Sequence, residues 1–275
     1  MNHILKLTLA ILFVLLLEGC GGSALKKSTE VGPTPSASST AAPTAISGIT
    51  LTYGDNAQVE LVTPSGRHVY IDIYNTSLLT KQPDAGDILL TTHLHSDHYL
   101  KDFQASFPGK QIFISVDEIK LPDISIVSIA SAHLPSDPIT AKGATDYLFV
   151  IDTGGLRIAH FGDIGQEALT DVQLAALGSV DLAITQFSNS YSLMDSTNRK
   201  GFHLMDQVKP RLIIPTHADK STMEIAFGQW TGYYSGSRTV VIAPEKLPAT
   251  TGILYLGNPA LTSAYAKIYN LKEWK

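Results

Sequence analysis

His93-Leu94-His95-Ser96-Asp97-His98 is the stretch on which the reading of this chain turns. It brings three imidazoles and one carboxylate into six positions. Just before it, Ile88 to Thr92 is a short apolar run of the kind that forms a buried strand. The motif therefore stands where a strand end opens into a loop. In extended chain, residues two apart project to the same side, so His93 and His95 can reach one metal ion. Asp97 and His98 follow, where the chain is expected to turn into a helix, and can reach a second point nearby. The sequence holds a single cysteine, so imidazole nitrogen and carboxylate oxygen are the donors left for a zinc-like cation. A surface cluster of histidines without function is the bland alternative. With only 9 histidines in 275 residues, such a tight grouping by chance is rare.

One short motif cannot complete two metal sites, and three downstream residues are suited to do so. His133 follows an expected strand at Ile124 to Ala130, Asp163 follows Leu156 to Phe161, and His217 follows Arg211 to Ile214. In sheets covered by helices, the loops at one edge of the strands build the site. Each residue has a duller reading: His133 as a loop histidine, Asp163 as the N-cap of a helix over Gln166 to Leu177. His160, three positions before Asp163, is expected to support the site or face substrate. His68 in a hairpin strand and His203 in a helix are expected to play no part. Asn189, Tyr191 and Asn198 lie in a polar stretch that could cover the site.

Further strands are expected at Ala57 to Thr63, Val69 to Ile73, Gln111 to Ser115, Tyr147 to Asp152, Leu182 to Thr185, Thr239 to Ala243 and Gly252 to Leu256. Turns at Pro64-Ser65-Gly66 and Thr153-Gly154-Gly155 separate hairpin strands. A second helix is expected around Phe202 to Val208. Hairpins followed by alternating strands and helices, many strands apolar on both faces, indicate sheets covered by helices. Residues 49–275 suit one domain.

The N-terminus reads differently. Lys6 precedes an apolar run from Leu7 to Leu17, broken only by Thr8, and Gly19 stands just before Cys20. That is the anatomy of an export signal, and the run is too short to span a bilayer. Leu17-Glu18-Gly19-Cys20 resembles the lipobox of bacterial lipoproteins, with Glu18 departing from the usual small or apolar residue. The resemblance implies a signal peptide over 1–19, a lipidated Cys20, and a place in the bacterial cell envelope outside the cytoplasm. Residues 20–48, rich in Ser, Thr, Ala and Pro, read as a disordered linker. The net charge of -5 gives no electrostatic case for nucleic acid.

The order of Asp72, the His-x-His-x-Asp-His motif, His133, Gly162-Asp163 and Pro215-Thr216-His217 resembles the metallo-β-lactamase superfamily over about residues 49 to 235. Ile158 to Asp163 and Ile213 to His217 most resemble its ascorbate-phosphate lactonase-like and N-acylphosphatidylethanolamine phospholipase D-like branch. The resemblance implies an α/β fold, the four-layer αββα sandwich. It implies two divalent metal ions, zinc first, with manganese or iron able to use the same ligands. His93, His95 and His133 would hold one ion; Asp97, His98 and His217 the other; Asp163 would bridge them and Asp72 support them. The implied reaction is hydrolysis of an ester, lactone, amide or phosphodiester by a hydroxide held between the metals, with Asp97 orienting it. The implied substrate is a small or lipid-like molecule. A metal-binding lipoprotein without turnover is a second reading. A di-iron oxidoreductase is a third, disfavoured because such sites usually carry glutamate where this chain has His95. A true β-lactamase is disfavoured by the short spacing from His98 to His133.

Overall fold

The computed structural model describes residues 47–257 and 259–275. The expected export signal, Cys20 and the expected linker up to residue 46 lie outside the described residues. Gly48, the last position of the expected linker, is already tied to the domain: its N–H donates to the Gly154 carbonyl at 2.7 Å.

In chain order the strands are β1 (Ile49–Tyr53), β2 (Val59–Val62), β3 (His68–Ile71), β4 (Ile88–Thr91), β5 (Lys110–Phe113), β6 (Glu118–Leu121), β7 (Ile124–Ser131) and β8 (Asp146–Thr153). They continue with β9 (Leu156–His160), β10 (Leu182–Thr185), β11 (Leu212–Pro215), β12 (Thr231–Tyr234), β13 (Thr239–Ile242), β14 (Gly252–Tyr255) and β15 (Lys272–Glu273). The helices are α1 (Lys101–Ser106), α2 (Asp171–Leu177), α3 (Lys200–Val208), α4 (Lys220–Gln229) and α5 (Pro259–Ile268). One sheet has the order β13-β1-β2-β3-β4-β5, the other β15-β12-β14-β11-β10-β9-β8-β7-β6.

The two-sided apolar strands explain the layering. In β4, Ile88 and Leu90 enter the core between the sheets, while Leu89 packs outward with Tyr70 and Phe107 beside α1. In β10 and β11, Leu182, Ile184, Leu212 and Ile214 face the same central core. Ala183 and Ile213 face the opposite way, toward Leu177, Phe202, Leu204 and Met223 of α2, α3 and α4. Successive side chains alternate faces, so a strand apolar throughout must be covered on both. Helix, sheet, sheet and helix follow one another, which is the expected αββα sandwich. Each large apolar side chain so buried contributes ~1.5–3 kcal/mol.

Several expectations need correction. The helix expected from Gln166 begins only at Asp171, because Thr170 caps it and forms a capping box with Gln173. Asp163 is therefore not its N-cap. Gln166 instead buries its amide, donating to the Ala168 carbonyl at 3.0 Å. The return strand ends at Ile71, because Asp72 takes a left-handed φ of 52°. After His98 the helix starts only at Lys101, beyond a turn. The helices α4 and α5 and the strands β1, β6, β12 and β15 were not anticipated. The strands among these are short, and β15 has 2 residues. Among the described residues, no helix is long and apolar enough to cross a membrane.

Candidate metal centre

β9, β10 and β11 are mutually parallel, and β7 runs with β9 because β8 is antiparallel to both. Their C-terminal ends therefore share one edge of the second sheet. The loop after β7 supplies His133, that after β9 supplies Asp163, that after β10 supplies Asn189, and that after β11 supplies His217. From the facing sheet, the loop after β4 supplies His93 to His98.

These loops bring the expected residues together in two groups. Donor atoms of His93, His95, His133 and Asp163 lie within 4.8 Å of one another, and so do those of Asp97, His98 and His217. Asp163 stands between the groups. Its Oδ2 lies 3.6 Å from His93 Nε2, 3.8 Å from His133 Nε2 and 3.3 Å from His98 Nε2. Its Oδ1 lies 3.4 Å from His217 Nε2. Asp97 is half-buried, with Oδ2 at 3.7 Å from His217 Nε2 and 3.9 Å from His98 Nε2. His93, His98, His133 and Asp163 are buried, while His95 is exposed at the rim.

Three of these atoms, His93 Nε2, His133 Nε2 and Asp163 Oδ1, are buried with no hydrogen-bond partner among the described residues. Leaving such groups unpaired costs about 1–3 kcal/mol each, so converging orphans ask for a ligand. Two imidazoles and a carboxylate converging on one space are the donor set of a divalent cation. The residues present therefore fit metal.

The surrounding polar groups orient this set. His98 Nδ1 lies 2.9 Å from Asp72 Oδ2, which leaves Nε2 turned inward. Asp72 is fixed in turn by the Thr92 N–H at 2.8 Å and the Thr92 hydroxyl at 2.7 Å. Asp146, fully buried, accepts the Asp163 N–H at 3.1 Å and lies 3.5 Å from His93 Nδ1. Asn189 donates its amide to Asp163 Oδ2 at 2.6 Å.

Charge follows this packing. Burial pushes His93 down to about 4, with the His98 charge adding to it. Burial would also depress His98, but the Asp72 charge and its contacts with Asp163 outweigh that and hold it well above its ordinary value. For Asp163, burial opposes ionisation, yet the facing His133 and His98 rings keep it well below the usual carboxylate range. Asp146 goes the other way: burial and the neighbouring Asp163 charge raise it well above that range.

The other sequence candidates divide. His160 is buried, and its Nδ1 accepts the Gly162 N–H at 3.2 Å, so it steadies the turn to Asp163 rather than facing substrate. Asn189 touches Asp163, and the exposed Tyr191 ring lies 5.9 Å from that of His95. Asn198 serves its own loop, donating to the Leu193 carbonyl at 2.8 Å, and does not reach the centre. His68 pairs with Glu60 at 2.5 Å and His203 lies on α3; neither belongs to the two donor groups. Asp146 was missed by sequence reasoning: it sits at the start of a strand with no motif around it.

Residues 50–217 match the family model described as the beta-lactamase superfamily domain. Among curated proteins no significant match was found. Among solved structures, a proposed Zn-dependent hydrolase of the metallo-β-lactamase superfamily from Thermotoga maritima is 15% identical, with a TM-score of 0.55 over 75% of this chain and 98% of that one. The metallo-β-lactamase fold protein YhfI of Bacillus subtilis is 12% identical, with a TM-score of 0.48 over 75% of this chain and 96% of that one. CmlA, a di-iron β-hydroxylase from Streptomyces venezuelae, is 11% identical, with a TM-score of 0.48 over 76% of this chain and 53% of that one. At such identities the likeness is one of fold. With the αββα layering, the family match and a His/Asp cluster able to hold metal ions, the chain belongs to the metallo-β-lactamase superfamily.

Proposed function

We propose that this chain is an exported metal-dependent hydrolase with a dinuclear centre, zinc being the first choice. The observation that carries the reading is the placement of Asp163 between two donor groups, with His93 Nε2, His133 Nε2 and Asp163 Oδ1 buried and unpartnered. His93, His95 and His133 would hold one ion, Asp97, His98 and His217 the other, and Asp163 would reach both. Bound there, two divalent cations supply an acidified water and a Lewis acid for a carbonyl or phosphoryl oxygen.

The chain's own residues do the rest. Asp72 holds the His98 ring so that Nε2 presents its lone pair inward. Asn189 fixes the Asp163 carboxylate from one side, and Asp146 fixes its backbone from below. Asp97, half-buried at the mouth, would orient the attacking nucleophile. The bond cleaved is an ester, lactone, amide or phosphodiester. The motif's His95, in place of the glutamate usual in di-iron relatives, supports hydrolysis over oxidation. The signal anatomy ending at Cys20 supports a lipid anchor in the cell envelope.

Elemental analysis of the purified protein beside His95→Ala and Asp163→Ala tests the centre. About two metals per chain are expected for a dinuclear hydrolase, falling in both variants. No metal after reconstitution with zinc, manganese or iron overturns the reading. Bound metal without turnover across a broad panel of esters, lactones, amides and phosphodiesters would favour a binding lipoprotein instead. For the anchor, Cys20→Ser should move the protein from the membrane fraction to the soluble one.

A further inference from the structure

Beside the three-histidine group lies a cavity of about 440 Å³, within the size range of small-molecule sites. His93, His95 and His133 form its inner wall. Leu94, Ile114, Leu134, Ala144 and Tyr147 form most of the remainder, with Thr145 and Asp137 at one side. Leu94 is 54% exposed although it lies inside the metal motif, so its side chain is not needed for the core and is available to a ligand.

The charges in this wall are one-sided. No lysine or arginine lines it; the nearest in sequence, Lys142, is exposed on the loop before Ala144. The one carboxylate, Asp137, is already engaged. Its Oδ2 accepts the Leu134 N–H at 3.0 Å and the Thr145 hydroxyl at 2.7 Å. Thr145 Oγ1 also accepts the His133 N–H at 2.9 Å, so Asp137 helps to shape the His133 loop. At the side of the cavity away from the histidines, a ligand anion would lose hydration, meet no lysine or arginine, and face the like charge of Asp137.

We propose that this cavity holds the uncharged, apolar acyl arm of the substrate, an ester or lactone of a carboxylic acid, next to the scissile carbonyl at the metal centre. The assignment rests on the hydrolase reading above and adds the class of substrate. Leu94, Ile114 and Leu134 grip the arm by burying its methylenes. Asp137 excludes arms that end in carboxylate, phosphate or sulfate.

The test uses the zinc-loaded full-length protein and the p-nitrophenyl esters of hexanoate, adipate and 6-aminohexanoate, which share a six-carbon arm and differ in its terminal charge. The hexanoate ester should exceed the adipate ester by at least tenfold in kcat/KM, and Leu134→Lys should shrink or reverse that ratio. Leu134→Trp should lower the ratio of hexanoate to acetate ester turnover while retaining its metal. Equal turnover of hexanoate and adipate esters, a ratio untouched by both variants, or preference for the 6-aminohexanoate ester overturns the assignment. Methyl NMR with hexanamide gives a readout free of turnover: Leu94 and Leu134 signals should shift in the wild type and not in Leu134→Trp. Protein that binds metal and hydrolyses none of the esters overturns the ester or lactone assignment, and the hydrolase reading is then decided by the broad panel above. Methyl shifts absent at those residues sink the pocket whatever the turnover.

Discussion

Asp72 Oδ2 lies 2.9 Å from His98 Nδ1, and on the far side of the same ring His98 Nε2 lies 3.3 Å from Asp163 Oδ2. One imidazole thus links a buried supporting carboxylate to the carboxylate at the middle of the candidate centre. Asp72 is itself held in a left-handed backbone conformation, with φ at 52°. Asparagine tolerates that region and alanine much less, which separates the charge of Asp72 from its geometry. Asp72→Asn should weaken metal affinity about 10–100-fold, as loss of such a partner typically does, with the fold retained. Asp72→Ala should also lose thermal stability. Chelator competition and thermal melts check the two effects, and equal melting of both variants would refute the separation.

Metal binding should expel a proton. In the metal-free chain His98 is held well above the ordinary value of about 6.5, so it is charged at pH 7. Its raised value stabilises the metal-free fold fully below about pH 6.5, and that contribution is lost as pH rises through the folded-state value. His93, pushed down to about 4 by burial and His98, is already neutral. A cation needs the His98 Nε2 lone pair, so loading at pH 7 should release about one proton. Calorimetric titration in two buffers of different ionisation enthalpy measures it; a release of zero contradicts the assignment of His98.

Removal of metal should lower the melting temperature. A ligand that binds only the folded state stabilises by about 2.7 kcal/mol at a hundred times its dissociation constant. Protons compete with metal for His98, which is held well above its ordinary value, so the metal contributes less in acid. The drop in EDTA should therefore be larger at pH 8 than at pH 6. An unchanged melting temperature, with metal shown to be gone, counts against it.

Gly162 has no room for a side chain. Its φ is +53°, and a Cβ there would sit 2.9 Å from Thr92 Cβ and closer still to Asp146 Oδ1. Gly162→Ala should cost about 1–3 kcal/mol through backbone strain alone, and displace Asp163 with it. Denaturant melts and metal content should both fall; a variant that loses neither would show that this turn can relax.

Away from the centre, Arg67 grips Asp123 at 3.1 Å and ties the β2–β3 turn to the β6–β7 turn across the two sheets. Burial opposes the charge of Asp123, but Arg67 and Ser65 hold it at about 2. A depressed carboxylate stabilises above its unfolded value near 3.9 and loses that contribution as pH falls toward 2. The pair is partly exposed, so Asp123→Asn should cost only about 1 kcal/mol at pH 7. The gap from wild type should close by about pH 2, which urea melts across pH can follow.

Much of this architecture could be read from local patterns. β4, β8, β10 and β11 stand close to where their apolar runs place them, because a strand buried on both faces needs no partner to be recognised. Short or weakly patterned elements such as β15 and α5 escaped notice, since they are stabilised by what they pack against. The late start of α2 turned on one side chain, Thr170, competing successfully with a longer periodic run.

At the centre the division is similar. The sequence by itself supplied the donor types, their position just past strand ends, and the resemblance to one superfamily, because these are properties of contiguous residues. The resemblance implied how those donors would group, but the tertiary structure supplied the distances that bring His93, His95 and His133 to one side of Asp163 and Asp97, His98 and His217 to the other. It alone showed Asn189 on Asp163, Asp146 beneath it, and the apolar cavity beside His133. Those relationships join residues from different loops and both sheets. They are set by strand register and by how two sheets stack, which no local run of sequence encodes.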